Sequence, residues 1–240
     1  MIIRLNKFLS QAGIASRREA DRMIAGGRVK VNNQVIHELG CKIDDEKDKV
    51  EVNGRKVKRK QAFIYLVLNK PRGYLVTLKD PFGRSTVKNF FITLKKSVFP
   101  VGRLDYDSEG LLLLTNDGEL AYRLTHPRYE IRKTYLVKVR GEPDPSKLVK
   151  LRKGILLDGR KTAPAKVALL EGNPKKSLLR IEIYEGRKRE IRRMFESIGH
   201  KVLKLTRVGF AGLTLEKLKS GKWRFLQPEE IRMLKEQVGL

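Results

Sequence analysis

Four consecutive leucines, Leu111–Leu114, follow a short acidic loop and are closed by Asn116-Asp117-Gly118. A short apolar run bounded by turn residues is typical of a buried β-strand. The segment that leads into the run, Gly102-Arg103-Leu104-Asp105, places a carboxylate beside an arginine. The pattern therefore predicts a buried strand with Asp105 held at its mouth, and a carboxylate in that position is a candidate for chemistry.

The charge of the chain limits its partners. The 240 residues contain 53 lysines and arginines against 27 aspartates and glutamates, a net charge of +26. Such a chain is expected to bind a polyanion, and nucleic acid fits best. No apolar run is long enough to span a bilayer and no lipidation signal occurs, so we expect a soluble, cytoplasmic protein that does not bind membranes. One cysteine and three scattered histidines predict neither a disulfide nor a metal site.

The first 60 residues have the pattern of a small unit with two helices followed by strands. Leu5, Phe8 and Leu9 recur at helical spacing, and Ser16-Arg17-Arg18-Glu19 is a capping-box sequence that predicts a second helix. Its inner face is expected to contain Ala20, Met23 and Ile24, and Gly26-Gly27 to end it. Val29 and Val31 alternate with basic residues, and Asn53-Gly54 indicates a hairpin.

Basic side chains are frequent in this unit, and we predict that they form one face that binds RNA. The alternative is a solvated charged face without a ligand. The residues predicted to contribute are Arg4, Lys7, Arg17, Arg18, Arg22, Arg28 and Lys30. The basic stretch over residues 55–61 has little apolar surface, so a linker is predicted at about residues 55–62.

The remainder of the chain, residues 63–240, predicts a larger α+β domain. Apolar and alternating segments indicate strands, and the periodic segments between some of them indicate helices. We expect a mixed, mostly antiparallel sheet with helices and loops around it. Strands are predicted at residues 64–68, 111–114, 134–139 and 178–184, and helices at 119–124, 191–198 and from Pro228.

Asp105 is a candidate nucleophile, but the acidic residues around it also allow three other interpretations. Asp105-Tyr106-Asp107-Ser108-Glu109-Gly110 imitates the first half of an EF-hand loop, but Asn116 replaces the glutamate that the last ligand position requires. A glycosidase carboxylate pair is the second interpretation, although no other feature indicates sugar recognition. The third is a carboxylate that caps a turn and pairs with Arg103.

Motifs in distant parts of the chain resemble a known family. The amino-terminal segment resembles an S4 RNA-binding domain through Arg4–Leu9, Ser16–Ala20 and Gly27–Asn32. Over its full length the chain resembles the RsuA/RluB family of ribosomal RNA pseudouridine synthases. The further motifs that carry this resemblance are Lys70–Gly73, Gly102–Asp105, Lys133–Val137 and Glu185–Phe195. It implies an isomerase that converts a uridine of RNA to pseudouridine without a metal or an organic cofactor.

The resemblance also implies roles for individual residues. Asp105 matches the catalytic aspartate, which must be ionised to attack as a nucleophile. Tyr135 matches a tyrosine that stacks on the target uracil and takes part in removing the C5 proton. Arg192 matches the basic partner of the aspartate, with phosphate binding as the alternative. Leu203 is the residue predicted to pack on the other face of the base, and Leu205 is the second choice.

A uridine in folded RNA reaches such a pocket only if it is flipped out or lies in a loop. Arg103 is predicted to fill the vacated space or to hold phosphate. Arg207 is either a rim contact or a structural residue. The residues predicted to contact the RNA backbone in the second domain are Lys70, Arg72, Arg187, Lys188, Arg189 and Arg193.

We expect an S4 domain at residues 1–60 and a catalytic domain at residues 63–240. The protein is expected to act on ribosomal RNA as a monomer. The motif spelling favours the RluB-like branch, which modifies large-subunit (23S) ribosomal RNA. Two alternatives stay open: a small-subunit (16S) target, and a non-catalytic ribosome-assembly protein that keeps a degenerate synthase domain. The joint presence of Asp105, Tyr135 and Arg192 favours catalysis.

Overall fold

The computed structural model describes residues 1–58, 62–94 and 97–240, and the chain divides into two compact units. The first unit consists of Met1–Phe63, with which Ser97 and Asn116–Gly118 group. Its helices are α1 (Leu5–Gln11) and α2 (Arg17–Ala25). Its strands are β1 (Ile2–Arg4), β2 (Val29–Val31), β3 (Gln34–Val35), β4 (Lys42–Asp44), β5 (Val50–Val52) and β6 (Arg55–Lys56).

The first unit has its own hydrophobic core, and the predicted apolar positions of both helices lie in it. Leu5, Leu9, Ala20 and Ile24 are at most 1% exposed. The Ser16 hydroxyl accepts a hydrogen bond from the Glu19 amide, as predicted. The other half of the capping box does not form there, because the Glu19 carboxylate accepts from Arg22 instead.

Strands β3-β2-β5-β6 form one antiparallel sheet of this unit, and β1 pairs with β4. The predicted hairpin at Asn53-Gly54 is confirmed, since Val52 pairs with Arg55 across the turn. The start predicted for the linker is wrong, because Arg55 and Lys56 belong to the sheet and Val57 packs against the core. The rest of the predicted linker includes residues 59–61, which lie outside the described residues.

The second unit contains Ile64–Leu94, Val98–Thr115 and Glu119–Leu240. Helix α3 (Gly118–Thr125) is followed by α4 (Pro145–Lys153), α5 (Glu190–Ser197) and α6 (Pro228–Glu236), and short 3-10 helices lie at Val87–Phe91 and Pro127–Tyr129. The strands are β7 (Tyr65–Lys70), β8 (Phe99–Pro100), β9 (Glu109–Thr115), β10 (Lys133–Arg140), β11 (Leu156–Leu157), β12 (Arg160–Lys161), β13 (Lys166–Asn173), β14 (Lys176–Ile183), β15 (Val202–Phe210), β16 (Leu213–Thr214) and β17 (Trp223–Phe225).

The main sheet of this unit has the strand order β13-β14-β10-β15-β9-β7-β17, with β16 beside β15 and β8 beside β9. Strands β9 and β15 run parallel, and the other strand pairs described in this sheet are antiparallel. The predicted mixed, mostly antiparallel sheet is therefore confirmed. Strands β13 and β17 and helix α4 were not among the predicted elements.

Strand β9 is covered on both faces. Leu112 and Leu114 belong to the apolar cluster on one side of the sheet, while Leu111 and Leu113 belong to the cluster on the other. All four leucines are 0% exposed. Each fully buried leucine contributes roughly 1.5–3 kcal/mol, so this strand fixes the position of whatever precedes it.

The junction between β9 and β15 is short and depends on a glycine. Only two residue pairs are in register in the described strands, Glu109 with Thr206 and Gly110 with Arg207. Gly110 has φ +108°, and a Cβ atom there would lie 2.2 Å from the Arg207 carbonyl oxygen. Such a separation is far below van der Waals contact, so glycine is required for the two strands to meet.

We expect Gly110→Ala to destabilise the protein by on the order of 3 kcal/mol, because the methyl group forces the two backbones apart at a positive φ. Thermal unfolding should show a melting temperature lowered by roughly 6 °C or more. Gly118→Ala is the matched control, since no atom lies within 4 Å of the added methyl group. Equal melting temperatures for the two variants would contradict the close approach at Gly110.

Candidate active site

Asp105 lies in the loop that connects β8 to β9, at the mouth of the buried strand. Val101 and Leu104 are buried and anchor the loop, and the Val101 amide donates to the Leu113 carbonyl at 2.8 Å. The Asp105 side chain is half-buried and lines a cleft of about 430 Å³. The loop thus presents a carboxylate to a cavity, as the sequence predicts.

Lys70 lies beneath this loop and holds it in place. Its ammonium donates to the carbonyls of Ser108 at 2.7 Å, Pro71 at 3.1 Å and Asp105 at 3.2 Å. The residue is 0% exposed, and burial lowers its pKa to about 8, although the charge of Asp105 partly opposes this shift. The predicted contact between Lys70 and RNA backbone is therefore wrong, because its three donors are used inside the protein.

Arg192 does not pair with Asp105, and the sequence prediction is wrong on this contact. Its guanidinium lies 3.2 Å from the Asp107 carboxylate and donates to the Asp107 carbonyl at 3.0 Å. Arg189 donates through both terminal nitrogens to the same carboxylate, each at 3.2 Å. Asp107 is therefore the anionic centre that holds both arginines beside the loop. Sequence spacing alone does not distinguish Asp105 from Asp107, since they are two residues apart.

The electrostatics of this cluster favour an ionised Asp107 carboxylate. Burial raises the pKa of Asp107, but the hydrogen bond from Arg189 and the charge of Arg192 outweigh it, so the net shift is downward. Lys70, Arg189 and Arg192 each also interact with the charge of Asp105. Within the described part of the chain, no cation lies within ion-pair distance of the Asp105 carboxylate. Asp105 is thus placed in a positive field while its oxygens stay available.

Tyr135 and Arg207 form the wall opposite the loop. They face each other in register on β10 and β15, both are buried, and both line the cleft. The Arg207 Nε donates to the Leu111 carbonyl at 2.7 Å, and the guanidinium lies 5.0 Å from the centre of the Phe210 ring. Arg207 thus ties β15 to β9, which supports the structural role among the two predicted for it.

Leu203 is not positioned to pack on a base in the cleft. It is 38% exposed and is not among the lining residues, whereas Leu205 is 5% exposed and lines the cleft. The reason is a β-bulge: Lys138 pairs with Lys204 and Val139 with Val202, so Leu203 is an extra residue without a partner on β10. A bulge breaks the two-residue alternation on which the prediction relied. The second choice, Leu205, has the required position.

A second group of charged residues at the cleft was not assigned a role from the sequence. Lys133 donates to the carbonyls of Ile131, Tyr184 and Glu185, and burial, together with the nearby Arg207, lowers its pKa to about 8. Glu190 is 4% exposed, and burial and a hydrogen bond with Glu185 raise its pKa to about 8. These residues lie in the two motifs that surround Tyr135 and Arg192, but burial of a charge is not visible in a motif.

Glu185 and Glu190 organise the segment that carries the arginines. The Glu190 carboxylate accepts from the Arg187 amide at 2.9 Å, and Glu185 accepts from the Ala163 amide at 2.6 Å. The Arg187 side chain donates to Glu185 at 3.1 Å and to the carbonyls of Arg160 and Lys161. The guanidinium of Arg187 is therefore engaged within the protein although the side chain is 30% exposed, and its contact with RNA stays a prediction.

The other residues predicted to bind RNA differ in availability. Arg72, Arg103 and Lys188 are exposed, while Arg193 pairs with Asp158. In the first unit Lys7 is half-buried, Arg17 donates to Asn6 at 3.5 Å, and Arg28 donates to Asn53 at 3.1 Å. The exposed members of the predicted face are Arg4, Arg17, Arg18, Arg22, Arg28 and Lys30.

The described residues contain neither a metal-binding cluster nor a membrane-spanning helix. Nowhere in residues 1–58, 62–94 and 97–240 do three histidine, cysteine, aspartate or glutamate side chains form a group that could hold a metal ion. Among the same residues, no helix has both the length and the apolar composition required to cross a membrane.

Comparison with known proteins identifies the family to which this site belongs. The family model described as RNA pseudouridylate synthase matches residues 64–197, and that of the S4 domain matches residues 3–44. The chain belongs to the RNA pseudouridylate synthase family. A protein of Bacillus subtilis (strain 168) named ribosomal large subunit pseudouridine synthase B is 50% identical over 97% of this chain and 95% of its own length.

Two other matches agree with this result. An uncharacterised RNA pseudouridine synthase of Aquifex aeolicus (strain VF5) is 46% identical over 100% of this chain and 96% of its own length. A crystal structure of a pseudouridylate synthase has a TM-score of 0.71 at 31% identity, covering 97% of this chain and 99% of that one. The predicted family, fold class and enzyme class, an RNA pseudouridine synthase, are confirmed.

The hydrogen-bonded pair Glu185–Glu190 predicts a dependence of stability on pH. Glu190 titrates near pH 8 in the folded synthase and near its ordinary 4.5 when unfolded, so the folded state holds an extra proton between these values. The contribution of Glu190 to the free energy of unfolding is therefore fully present below pH 4.5 and decreases as the pH rises to 8. The pKa of Glu185 is lowered, so its contribution to stability is lost only as the pH falls below 4.5, which is outside this pH range.

We expect Glu190→Gln to remove this dependence, because the amide has no proton to lose. The melting temperature of the wild-type synthase should fall relative to that of the variant as the pH is raised from 5 to 8. The expected decrease is roughly 2–4 °C for each kcal/mol by which the free energy of unfolding is lowered. Glu196→Gln, on the exposed face of the same helix, is the control and should show no such trend. Parallel curves for wild type and Glu190→Gln would contradict the raised pKa.

Proposed function

We propose that this synthase converts one uridine of large-subunit ribosomal RNA to pseudouridine, with Asp105 as the nucleophile. The observation that carries the proposal is the position of the Asp105 carboxylate, which lines a cleft opposite Tyr135 and has no ion-pair partner among the described residues. A nucleophile must be ionised and accessible, and none of the described cations covers the Asp105 oxygens. The large-subunit target is proposed from the name of the Bacillus subtilis relative.

The reaction requires a base to be detached, turned and rejoined inside a closed site. The bond from ribose C1′ to uracil N1 breaks, C1′ bonds to C5, the C5 proton leaves and N1 gains a proton, so the overall formula is unchanged. Asp105 is proposed to add covalently to the nucleoside so that the detached base does not escape. Leu205 and the Tyr135 ring are proposed to hold the base between them, and the Tyr135 hydroxyl to assist in removing the C5 proton.

The basic residues at the cleft are proposed to have two roles. Arg192, which is mostly buried and bound to Asp107, supports the charge of Asp105 through the loop geometry and the local field. Arg72, Arg103, Lys188 and the partly exposed Arg189 are proposed to contact RNA phosphates. The proposed working form is a monomer, located in the cytoplasm with its RNA substrate.

Replacing the nucleophile should abolish chemistry without abolishing binding. We expect Asp105→Asn to form no pseudouridine on a 23S ribosomal RNA fragment, detected by a chemical adduct that stops reverse transcription, while RNA affinity stays within a few-fold of wild type. Asp158→Asn is the control, because that exposed side chain lies outside the cleft lining. Turnover retained by Asp105→Asn would overturn the nucleophile assignment, and conversion of 16S but not 23S RNA by the wild type would overturn the target.

The first unit is proposed to dock the RNA through its backbone. We expect Arg17→Ala/Arg18→Ala to weaken binding and to reduce the slope of log affinity against log salt concentration by about 0.7–0.9 for each phosphate that the protein no longer neutralises. The matched control is Lys42→Ala/Lys47→Ala, which removes two exposed lysines from the same unit. An unchanged slope in the arginine variant, or an equal change in the lysine variant, would contradict the predicted face.

A further inference from the structure

The turn at Asp80–Arg84, in the second unit, presents an exposed aromatic ring. The Phe82 side chain is 79% exposed, the largest value among the large hydrophobic residues in the described part of the chain. A single exposed apolar side chain is common on protein surfaces and by itself requires no explanation. What distinguishes Phe82 is how the surrounding residues fix it.

One carboxylate organises the turn from within. Asp80 accepts hydrogen bonds from the Phe82 amide at 3.2 Å and from the Arg84 amide at 2.9 Å. It also pairs with the Arg84 guanidinium at 2.7 and 3.2 Å, and only 5% of its own side chain is exposed. The tip is therefore ordered before any ligand binds, which reduces the entropy that binding would remove.

Arg84 is placed against the ring. Its guanidinium carbon lies 5.1 Å from the centre of the Phe82 ring, within the range of a cation–π contact. More than half of the Arg84 side chain is exposed, and Asp80 engages its Nε and Nη2, so the remaining Nη1 is the atom that can reach a ligand. The tip thus combines a flat apolar surface with a guanidinium that Asp80 holds in a fixed position.

The base of the loop is tied to the segment beside Asp105. The Leu75 amide donates to Ser85 and the Val87 amide donates to Leu75, each at 2.9 Å, which closes the loop. Two residues earlier, the Gly73 amide donates to the carbonyl of Tyr106, the neighbour of Asp105. The loop that carries Phe82 therefore begins next to the Asp105 segment.

We propose that Phe82 and Arg84 form a stacking site for an unpaired nucleotide of the RNA close to the target uridine. The base stacks on the Phe82 ring, and Arg84 binds an adjacent phosphate. Single-stranded nucleic acid is held by aromatic rings combined with cationic side chains, which is the chemistry of this tip. The net charge of +26 favours RNA over a protein partner as the occupant. The proposal rests on the proposed function, since it assumes that this synthase binds RNA at the Asp105 cleft.

The test uses the full-length protein and RNA fragments of the 23S target region in which 2-aminopurine replaces one nucleotide near the target uridine at a time. We expect the fluorescence of one position to be quenched on binding to wild type. Phe82→Ala should remove this quenching and weaken binding by roughly 5- to 150-fold, the range measured for loss of one stacked base. Phe82→Trp should keep both the quenching and the affinity.

Ile92→Ala is the matched control, because Ile92 is 78% exposed in the same unit and has no aromatic ring. Unchanged quenching and affinity in Phe82→Ala would overturn the stacking site. An effect seen only with assembled ribosomal particles, and not with free RNA, would overturn it in favour of a protein contact. Pseudouridine formation by the wild type is measured separately, so a failure of the proposed function is distinguished from a failure of the stacking site.

Discussion

The close contact between Gly110 on β9 and Arg207 on β15 is the constraint on which the site depends. Strand β9 follows the loop that carries Asp105, and β15 lies between β9 and the strand that carries Tyr135. The register is reinforced by Arg207, which donates to the Leu111 carbonyl, and by Thr206, which donates to Glu109 at 2.8 Å. A slip of one residue would move Arg207 to the other face of the sheet. The nucleophile and the tyrosine are therefore brought together by backbone geometry.

Around this junction the synthase distributes positive charge without neutralising Asp105. Lys70 is buried and Lys133 is half-buried, and each donates to three backbone carbonyls, which satisfies the ammonium groups while leaving their charge in place. Arg189 and Arg192 are bound to Asp107. The cations thus have partners other than Asp105 but still act on it at longer range. A preorganised field of this kind stabilises negative charge that develops on a detached base.

Much of the fold follows from local sequence patterns. The leucine run, the alternation around Tyr135, the glycine stop after α2 and the proline at the start of α6 each predict their element correctly, because the signal lies within a few residues. Strand β13 was missed because only one of its eight residues is buried, so it lacks the apolar alternation of a strand with a core face.

The details of the site were harder to predict, because they depend on register and burial between distant segments. The bulge at Leu203 shifts the base-facing position to Leu205, and no residue type in the strand indicates that a bulge is present. Lys70 and Arg187 look like RNA contacts in a basic sequence, yet both are used to support loops. The choice between Asp105 and Asp107 as the partner of Arg192 depends on a turn geometry that two-residue spacing does not specify.

The most direct test of the central claim is release of the C5 hydrogen. Each isomerisation must free one hydrogen from C5, because that carbon becomes bonded to C1′. With 23S ribosomal RNA carrying tritium at C5 of its uridines, the wild-type synthase is predicted to release one tritium per RNA molecule to water, and Asp105→Asn to release none. No release by the wild type, or equal release by the two proteins, would contradict the account.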